Sequence, residues 1–229
     1  MKKDYAHISF VLDNSGSMNV IKEATIAGYN TFIDKQKKGP GTATFSLYQF
    51  SIIESENIYQ LYKQDIAVNT LNFMDLNSVP VLTNETYVCQ TMTPLLDTIG
   101  LAIEQTGEKL TALKEEDRPD QVFFVILTDG QENASQKFTK QKINEMITHQ
   151  KEKYNWQILF LGANQDAIAV GASYGISAQS SMTYNSTNIS VGKTFAATAD
   201  SLVRSRGLKI AANYSDEVKN SVLNDNEIN

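Results

Sequence analysis

A single cysteine, Cys89, stands among the 229 residues, so no internal disulfide can form. A reducing cytoplasm is the compartment this implies. Histidine is almost as scarce, with only His7 and His149 present. No apolar run is long enough to span a bilayer. No apolar signal region follows Met1-Lys2-Lys3-Asp4, which leads straight into a strand pattern. A soluble, cytoplasmic protein with no membrane partner is the expectation. Basic surplus is also missing: the net charge is −6, which argues against a general nucleic-acid binder. The run Lys35-Gln36-Lys37-Lys38 ahead of Gly39-Pro40-Gly41 reads as a solvated helix end, its lysines facing the negative end of the dipole. Neither GxxxxGK[ST] nor a post-strand GxGxxG occurs, so nucleotide binding is not expected.

What is present is a core. Hydrophobic residues make up 41% of the chain, and no linker or repeat divides it. One domain over residues 1–214 is expected, followed by a polar, partly disordered tail over 215–229. Ile8 to Leu12, Val122 to Leu127 and Ile158 to Leu161 are short apolar runs, the first broken only by Ser9. Such runs suit central strands of a parallel sheet covered on both faces. Between them lie helical patterns. Leu95, Leu96, Ile99, Ala102, Ile103, Thr106 and Leu110 keep three/four spacing. Val20 to Lys35 carries a broad apolar face, and Phe138, Ile143, Met146 and Ile147 a weaker one. Strand–helix alternation of this kind predicts βαβ units. Thr42 to Tyr62 reads as a strand pair, with Ile58 to Tyr62 as an antiparallel edge. Residues 63–92 carry no clear pattern. The Ser/Asn/Thr-rich stretch 176–192 predicts a loop, and Thr194 to Arg206 a last helix.

The unusual residues gather at the carboxyl ends of the strands. Strand one ends in Asp13-Asn14-Ser15-Gly16-Ser17, and the VFFVIL strand in Thr128-Asp129-Gly130-Gln131-Glu132-Asn133. In an open parallel sheet, ligands bind at this edge. The volume there would hold carboxylate and hydroxyl oxygens without histidine or thiolate, a donor set suited to Mg²⁺, Mn²⁺ or Ca²⁺. Each residue alone has an ordinary reading. Asp13 and Asp129-Gly130 suit turns, Ser17 suits an N-cap, and Thr93 before Pro94 suits a helix start. Glu132 and Asp166 suit helix N-termini better than an outer coordination shell. Cys89 reads as a half-buried small side chain rather than a nucleophile, because neither histidine is evidently near it. Tyr48, Tyr59, Tyr62 and Tyr87 read mainly as packing, with a contact surface as the minority reading.

Asp13-x-Ser15-x-Ser17 after the first strand, Thr93 ahead of Pro-Leu, and Asp129 in "LTDG" together resemble the metal-ion-dependent adhesion site (MIDAS) of von Willebrand factor A (vWA) domains. The resemblance covers roughly Ser9 to Gly162. "TDGQENAS" and "FLGANQDAIAVGASYGI" are similar to stretches of small intracellular bacterial and phage members. The resemblance implies an α/β, Rossmann-like fold: a central, mostly parallel sheet with one antiparallel edge strand and helices on both faces. It implies that Ser15, Ser17 and Thr93 offer hydroxyls to a cation, and that Asp13 and Asp129 bind it directly or through water. It also implies that a partner's carboxylate completes the coordination. Many members carry glycines before the threonine, whereas this chain has Cys89-Gln90-Thr91-Met92, which makes Thr91 a competing hydroxyl.

The expected function is therefore a non-enzymatic, cation-dependent protein-binding module with no catalytic residues. Its partner would supply an Asp, a Glu or a C-terminal carboxylate. Two alternatives stay open. One is a Mg²⁺-dependent phosphohydrolase, against which Ser15 stands where a second aspartate is usual. The other is self-assembly, with the acidic segment from Asp216 donating a carboxylate to a neighbouring copy.

Overall fold

The computed structural model describes residues 1–52, 71–164 and 166–224. A six-stranded sheet runs through the molecule in the order β3-β2-β1-β4-β5-β6. Its strands are β1 (Lys2–Asp13), β2 (Thr42–Phe50), β3 (Leu71–Asp75), β4 (Pro119–Thr128), β5 (Gln157–Ala163) and β6 (Ser181–Tyr184). All neighbouring pairs are parallel except β2 with β3. The chain moves outward from β1 to β2 and β3, then returns to β4 on the other side of β1. The strand order thus reverses between β1 and β4, and helices diverge at their carboxyl ends.

Six helices cover the sheet among the described residues: α1 (Lys22–Lys37), α2 (Leu95–Ala112), α3 (Lys140–Tyr154), α4 (Ala167–Ser173), α5 (Asn188–Leu208) and α6 (Asp216–Leu223). The apolar strand runs follow from this covering. Phe10, Leu12, Phe123, Val125 and Leu127 pack with Tyr29 and Phe32 of α1 and Phe195 and Leu202 of α5. Val11, Phe124, Ile126 and Phe160 turn to the opposite face and pack with Leu95, Ile99 and Ile103 of α2 and Ile143 and Ile147 of α3. Alternate residues of one strand therefore feed two cores, and the buried polar side chains of β1 on the α2 side, His7 and Ser9, are bonded to each other and on to Thr106. Helix α1 reaches α5 closely because Gly28 has no side chain: a Cβ there would stand 2.3 Å from the Phe195 ring.

The α/β class, the mostly parallel sheet and the antiparallel edge agree with the sequence reading, but several boundaries differ. The antiparallel edge is β3, inside the stretch that carried no clear pattern. Ile58 to Tyr62 lies outside the described residues. The stretch 176–192 is not a loop throughout. Ser181–Tyr184 pairs with β5, and α5 begins at Asn188, its N-cap Thr187 accepting from the Ser190 amide. The tail is ordered at least over α6: Ser215 caps it, and Val222 is buried against the α1–α5 core. No helix among the described residues is long and apolar enough to cross a membrane.

Candidate metal centre

Strand β1 delivers Asp13 to the switch point, and the chain then turns sharply. The turn is pinned from both sides. Asn14 N–H donates to the Phe50 carbonyl, and Gln90 N–H donates to the Asn14 carbonyl at 2.8 Å. The Asn14 side-chain amide donates to the Val88 carbonyl at 2.9 Å. Gly16 is required at this crossing, since a Cβ would fall 2.8 Å from the Gln90 carbonyl oxygen. Ser15 and Ser17 are thereby held beside the 88–93 segment and lead into a short 3₁₀ turn, Gly16–Ile21. Ser17 lies inside this turn rather than at its N-cap, the role its sequence context suggested.

Four of the five expected oxygen donors form one connected chain. Asp13 Oδ1 accepts from the Ser15 amide at 2.7 Å, and Oδ2 accepts from the Thr128 hydroxyl at 2.5 Å. The Ser15 and Ser17 hydroxyls are 3.2 Å apart, and the Ser17 hydroxyl donates to Asp129 Oδ1 at 2.6 Å. Thr93 joins the same group across Gly130. A Cβ on Gly130 would lie 3.0 Å from Thr93 Oγ1 and 3.5 Å from Ser17 Oγ. Segments from β1, the α2 entry and the end of β4 therefore meet at one point.

The expected N-cap role of Thr93 does not hold. The first amides of α2 are capped from a distance: Leu96 N–H donates to Glu132 at 2.8 Å and Asp97 N–H to Ser135 Oγ at 3.0 Å. Thr93 is fixed instead through its backbone, its N–H donating to Asn133 Oδ1 at 2.9 Å. Its hydroxyl makes no hydrogen bond among the described residues. Thr91, the competing hydroxyl, is exposed and donates to the Ile52 carbonyl at 2.6 Å.

Glu132 starts no helix of its own but does sit at a helix N-terminus, that of α2: besides Leu96 N–H, it accepts from the Ala134 and Ser135 amides. Asp97, which sequence reasoning did not single out, accepts from the amides of Gln136, Lys137 and Phe138 and locks the 129–139 loop to α2. Asp166 does cap α4, as expected. Tyr48 and Tyr87 are buried at 0%, which removes them from any contact surface. Tyr59 and Tyr62 lie outside the described residues. Tyr87 instead donates its hydroxyl to the Asp13 carbonyl at 2.5 Å.

Both carboxylates at this edge are held above their ordinary range, chiefly by burial. Asp13 is fully buried, and burial pushes its carboxyl up to about 6; hydrogen bonds from Thr128 and Ser15 oppose that rise, and Asp129 adds to it. Burial also raises Asp129, against the hydrogen bond from Ser17. Cys89 is half-buried, and burial pushes its thiol up to about 11, far from a reactive thiolate. His7 lies within β1, bonded to Thr44 and Ser9, and does not reach this edge. Among the described residues no three His, Cys, Asp or Glu side chains form a metal-holding group. The donors on offer are two carboxylates and three hydroxyls. That set is all hard oxygen, and it fits Mg²⁺, Mn²⁺ or Ca²⁺ rather than a soft ion.

No protein-family model matches the chain, and no curated protein does. Solved structures do. The chain is similar to the pilus adhesin SpaC of Lactobacillus rhamnosus GG at 12% identity and TM-score 0.58, over 89% of this chain and 30% of that one. It is similar to a von Willebrand factor type A protein from Catenulispora acidiphila at 13% identity and TM-score 0.51, over 90% and 43%. Proximal thread matrix protein 1 of the mussel byssus matches at 16% identity and TM-score 0.51, over 89% and 47%. The chain thus spans less than half the length of each of these proteins. At such identities the shared feature is the fold, which is vWA-like.

Proposed function

We propose that this chain is a divalent-cation-dependent protein-binding module of the MIDAS type. Ser15, Ser17 and Thr93 would offer hydroxyl oxygens to the ion, and Asp13 and Asp129 their carboxylates. Mg²⁺ is the favoured ion, with Mn²⁺ or Ca²⁺ as substitutes. Once bound, the ion would supply a coordination position for a carboxylate from outside the chain. The residues themselves do the rest. Tyr87 and Thr128 fix Asp13 from two sides, the Asp97 and Glu132 lacing fixes Thr93 relative to Asp129, and Gly130 keeps the space between Thr93 and Ser17 open.

The observation that carries this reading is Thr93. Its hydroxyl is relieved of helix capping by Glu132 and Ser135, makes no hydrogen bond among the described residues, and sits beside the Ser17–Asp129 pair. A non-catalytic role is favoured by the placement of the classical nucleophile and base: the Cys89 thiol is held protonated, and His7 is enclosed in the core. The proposed partner is a protein that presents an Asp, a Glu or a C-terminal carboxylate, and the proposed setting is the cytoplasm of a bacterium or of a phage-infected cell.

Titration calorimetry with Mg²⁺ tests the reading. Wild type should bind with one-site stoichiometry, and Asp13→Ala should lose more than about a hundredfold in affinity, beyond what loss of a supporting residue costs. Equal heats from both proteins would remove the cation from the account.

A further inference from the structure

A cavity of about 320 Å³ opens among the described residues at the other end of the sheet from the oxygen donors. It is bounded by the last turns of α2 and α3, the start of β4 and the residues leading into β5. Small-molecule sites occupy roughly 300–1,000 Å³, so its size suits a compact guest. The floor is apolar: Leu110, Val122 and Trp156 are part of, or packed against, the core beneath α2 and α3. His149 and Tyr154, edge to face at 5.6 Å, add a flat side wall. A Cβ on Gly107 of α2 would meet nothing within 4 Å, so the space reaches that helix unobstructed. Trp156 stacks on Phe124 and is only 5% exposed. Its indole N–H nevertheless makes no hydrogen bond among the described residues. A buried indole donor ordinarily has a partner.

The charged groups on the walls are Arg118 and Lys153 against one acid, Glu115. Arg118 is held in place, its Nε donating to the Leu113 carbonyl at 3.0 Å and Nη2 to the Thr111 carbonyl at 3.2 Å. Lys153 has no acid partner among the described residues. The two helix ends call for no cation. Arg118 meets the carbonyls closing α2, and the Asn155 and Trp156 amides donate to the Lys151 and Gln150 carbonyls of α3, both at 3.1 Å. What remains is an apolar floor with flat walls, one unmet donor and a surplus of positive charge.

We propose that this cavity binds a compact aromatic carboxylate, its ring on the apolar floor beside Gly107, its carboxylate accepting from the Trp156 indole N–H and balanced by Lys153 and Arg118. The inference is independent of the cation reading given above.

Trp156 is the single tryptophan of the chain, so one indole N–H resonance reports on the cavity. The probe is 1-naphthoate, titrated into ¹⁵N-labelled protein at pH 8, with 1-naphthalenemethanol as its uncharged analogue. The wild-type indole resonance should shift saturably with naphthoate, and the alcohol should bind about tenfold more weakly, the usual worth of a hydrogen bond to a charged group. Gly107→Phe places a ring in the same space, at a helix position where phenylalanine is better accommodated than glycine. It should weaken naphthoate at least about tenfold, because guest and side chain cannot share one close-packed volume. Lys153→Ala, at an exposed position, should weaken naphthoate about threefold and leave the alcohol unchanged. A wild-type indole resonance that does not move, or moves without saturating, would overturn the proposal. Equal affinity for acid and alcohol would overturn it as well. So would undiminished naphthoate binding by folded Gly107→Phe. Should that variant not fold, naphthoate binding by Lys153→Ala at wild-type strength is the overturning result.

Discussion

Asp13 and His7 share one buried strand and titrate in opposite senses. Burial presses the His7 ring from 6.5 down to about 3, so the folded chain refuses a proton that the unfolded chain accepts. Stability from His7 is full above 6.5 and is lost as the pH falls below it, at about 1.4 kcal/mol per pH unit. Asp13 runs the other way. Its folded value of about 6 exceeds the unfolded 3.8, so its contribution is full below 3.8 and is lost as the pH rises through 6. Between 3.8 and 6 the two slopes cancel in metal-free protein. Asp13→Asn removes one of them. In chelator, urea unfolding of that variant should therefore weaken, relative to wild type, by about 1.4 kcal/mol per unit of acidification across this window. Parallel pH profiles for the two proteins would mean that Asp13 ionises normally in the fold. Asp129 is coupled to Asp13, so the difference reports Asp13 together with that coupling.

At the scale of elements, the joint between α2 and the 129–139 loop decides whether the donors hold their spacing. Asp97 takes three loop amides, at 2.8 Å each, while Glu132 and Ser135 return bonds to the first amides of α2. Asp97→Ala would strand three part-buried or buried N–H groups. At roughly 1–3 kcal/mol for each group left unmet, with some reaching water, a loss of about 3 kcal/mol is expected in urea unfolding. Mg²⁺ affinity should drop with it, because Thr93 and Asp129 would no longer be held in register. This joint was invisible in sequence for a physical reason. An acid in the first turn of a helix looks like an ordinary companion of the dipole, and Asp97 contacts residues some 40 positions away. The same distance explains why Thr93 reads as an N-cap when the caps come from Glu132 and Ser135. By contrast β1, β4 and β5 were legible because two-sided burial leaves a predominantly apolar run, broken in β1 only by Ser9. Asp13, Ser15 and Ser17 were legible because their spacing is local. Strand β6 was not: Ser181-Met182-Thr183-Tyr184 has a loop-like composition, and pairing with β5 rather than propensity makes it a strand.

On the scale of the whole molecule, the sheet reversal at β1 and β4 brings three remote segments together, and the last part of the chain closes the far edge. Helix α6 is part of that closure. Val222 enters the core shared by α1 and α5, and the buried Ser190 hydroxyl donates to the Val222 carbonyl at 2.7 Å. The Asn185 side-chain amide donates to the Leu223 carbonyl, and Lys219 reaches the Ala178 carbonyl. These bonds tie α6 to the start of α5 and to the turns on either side of β6. A chain ending at Asn213 should therefore fold less stably. Removing the Val222 side chain from its core withdraws about 1.5–2 kcal/mol of apolar burial, and orphaning the Ser190 hydroxyl costs about 1–3 kcal/mol more. A loss of about 3–5 kcal/mol should appear as a lower urea midpoint with a single transition. Mg²⁺ binding by the shortened chain should weaken too, because β6 and, through it, the carboxyl end of β5 lose their outer support. An unchanged midpoint would separate α6 from the cooperative unit. A lowered midpoint with undiminished Mg²⁺ affinity would show that the closure stabilises the fold without reaching the site.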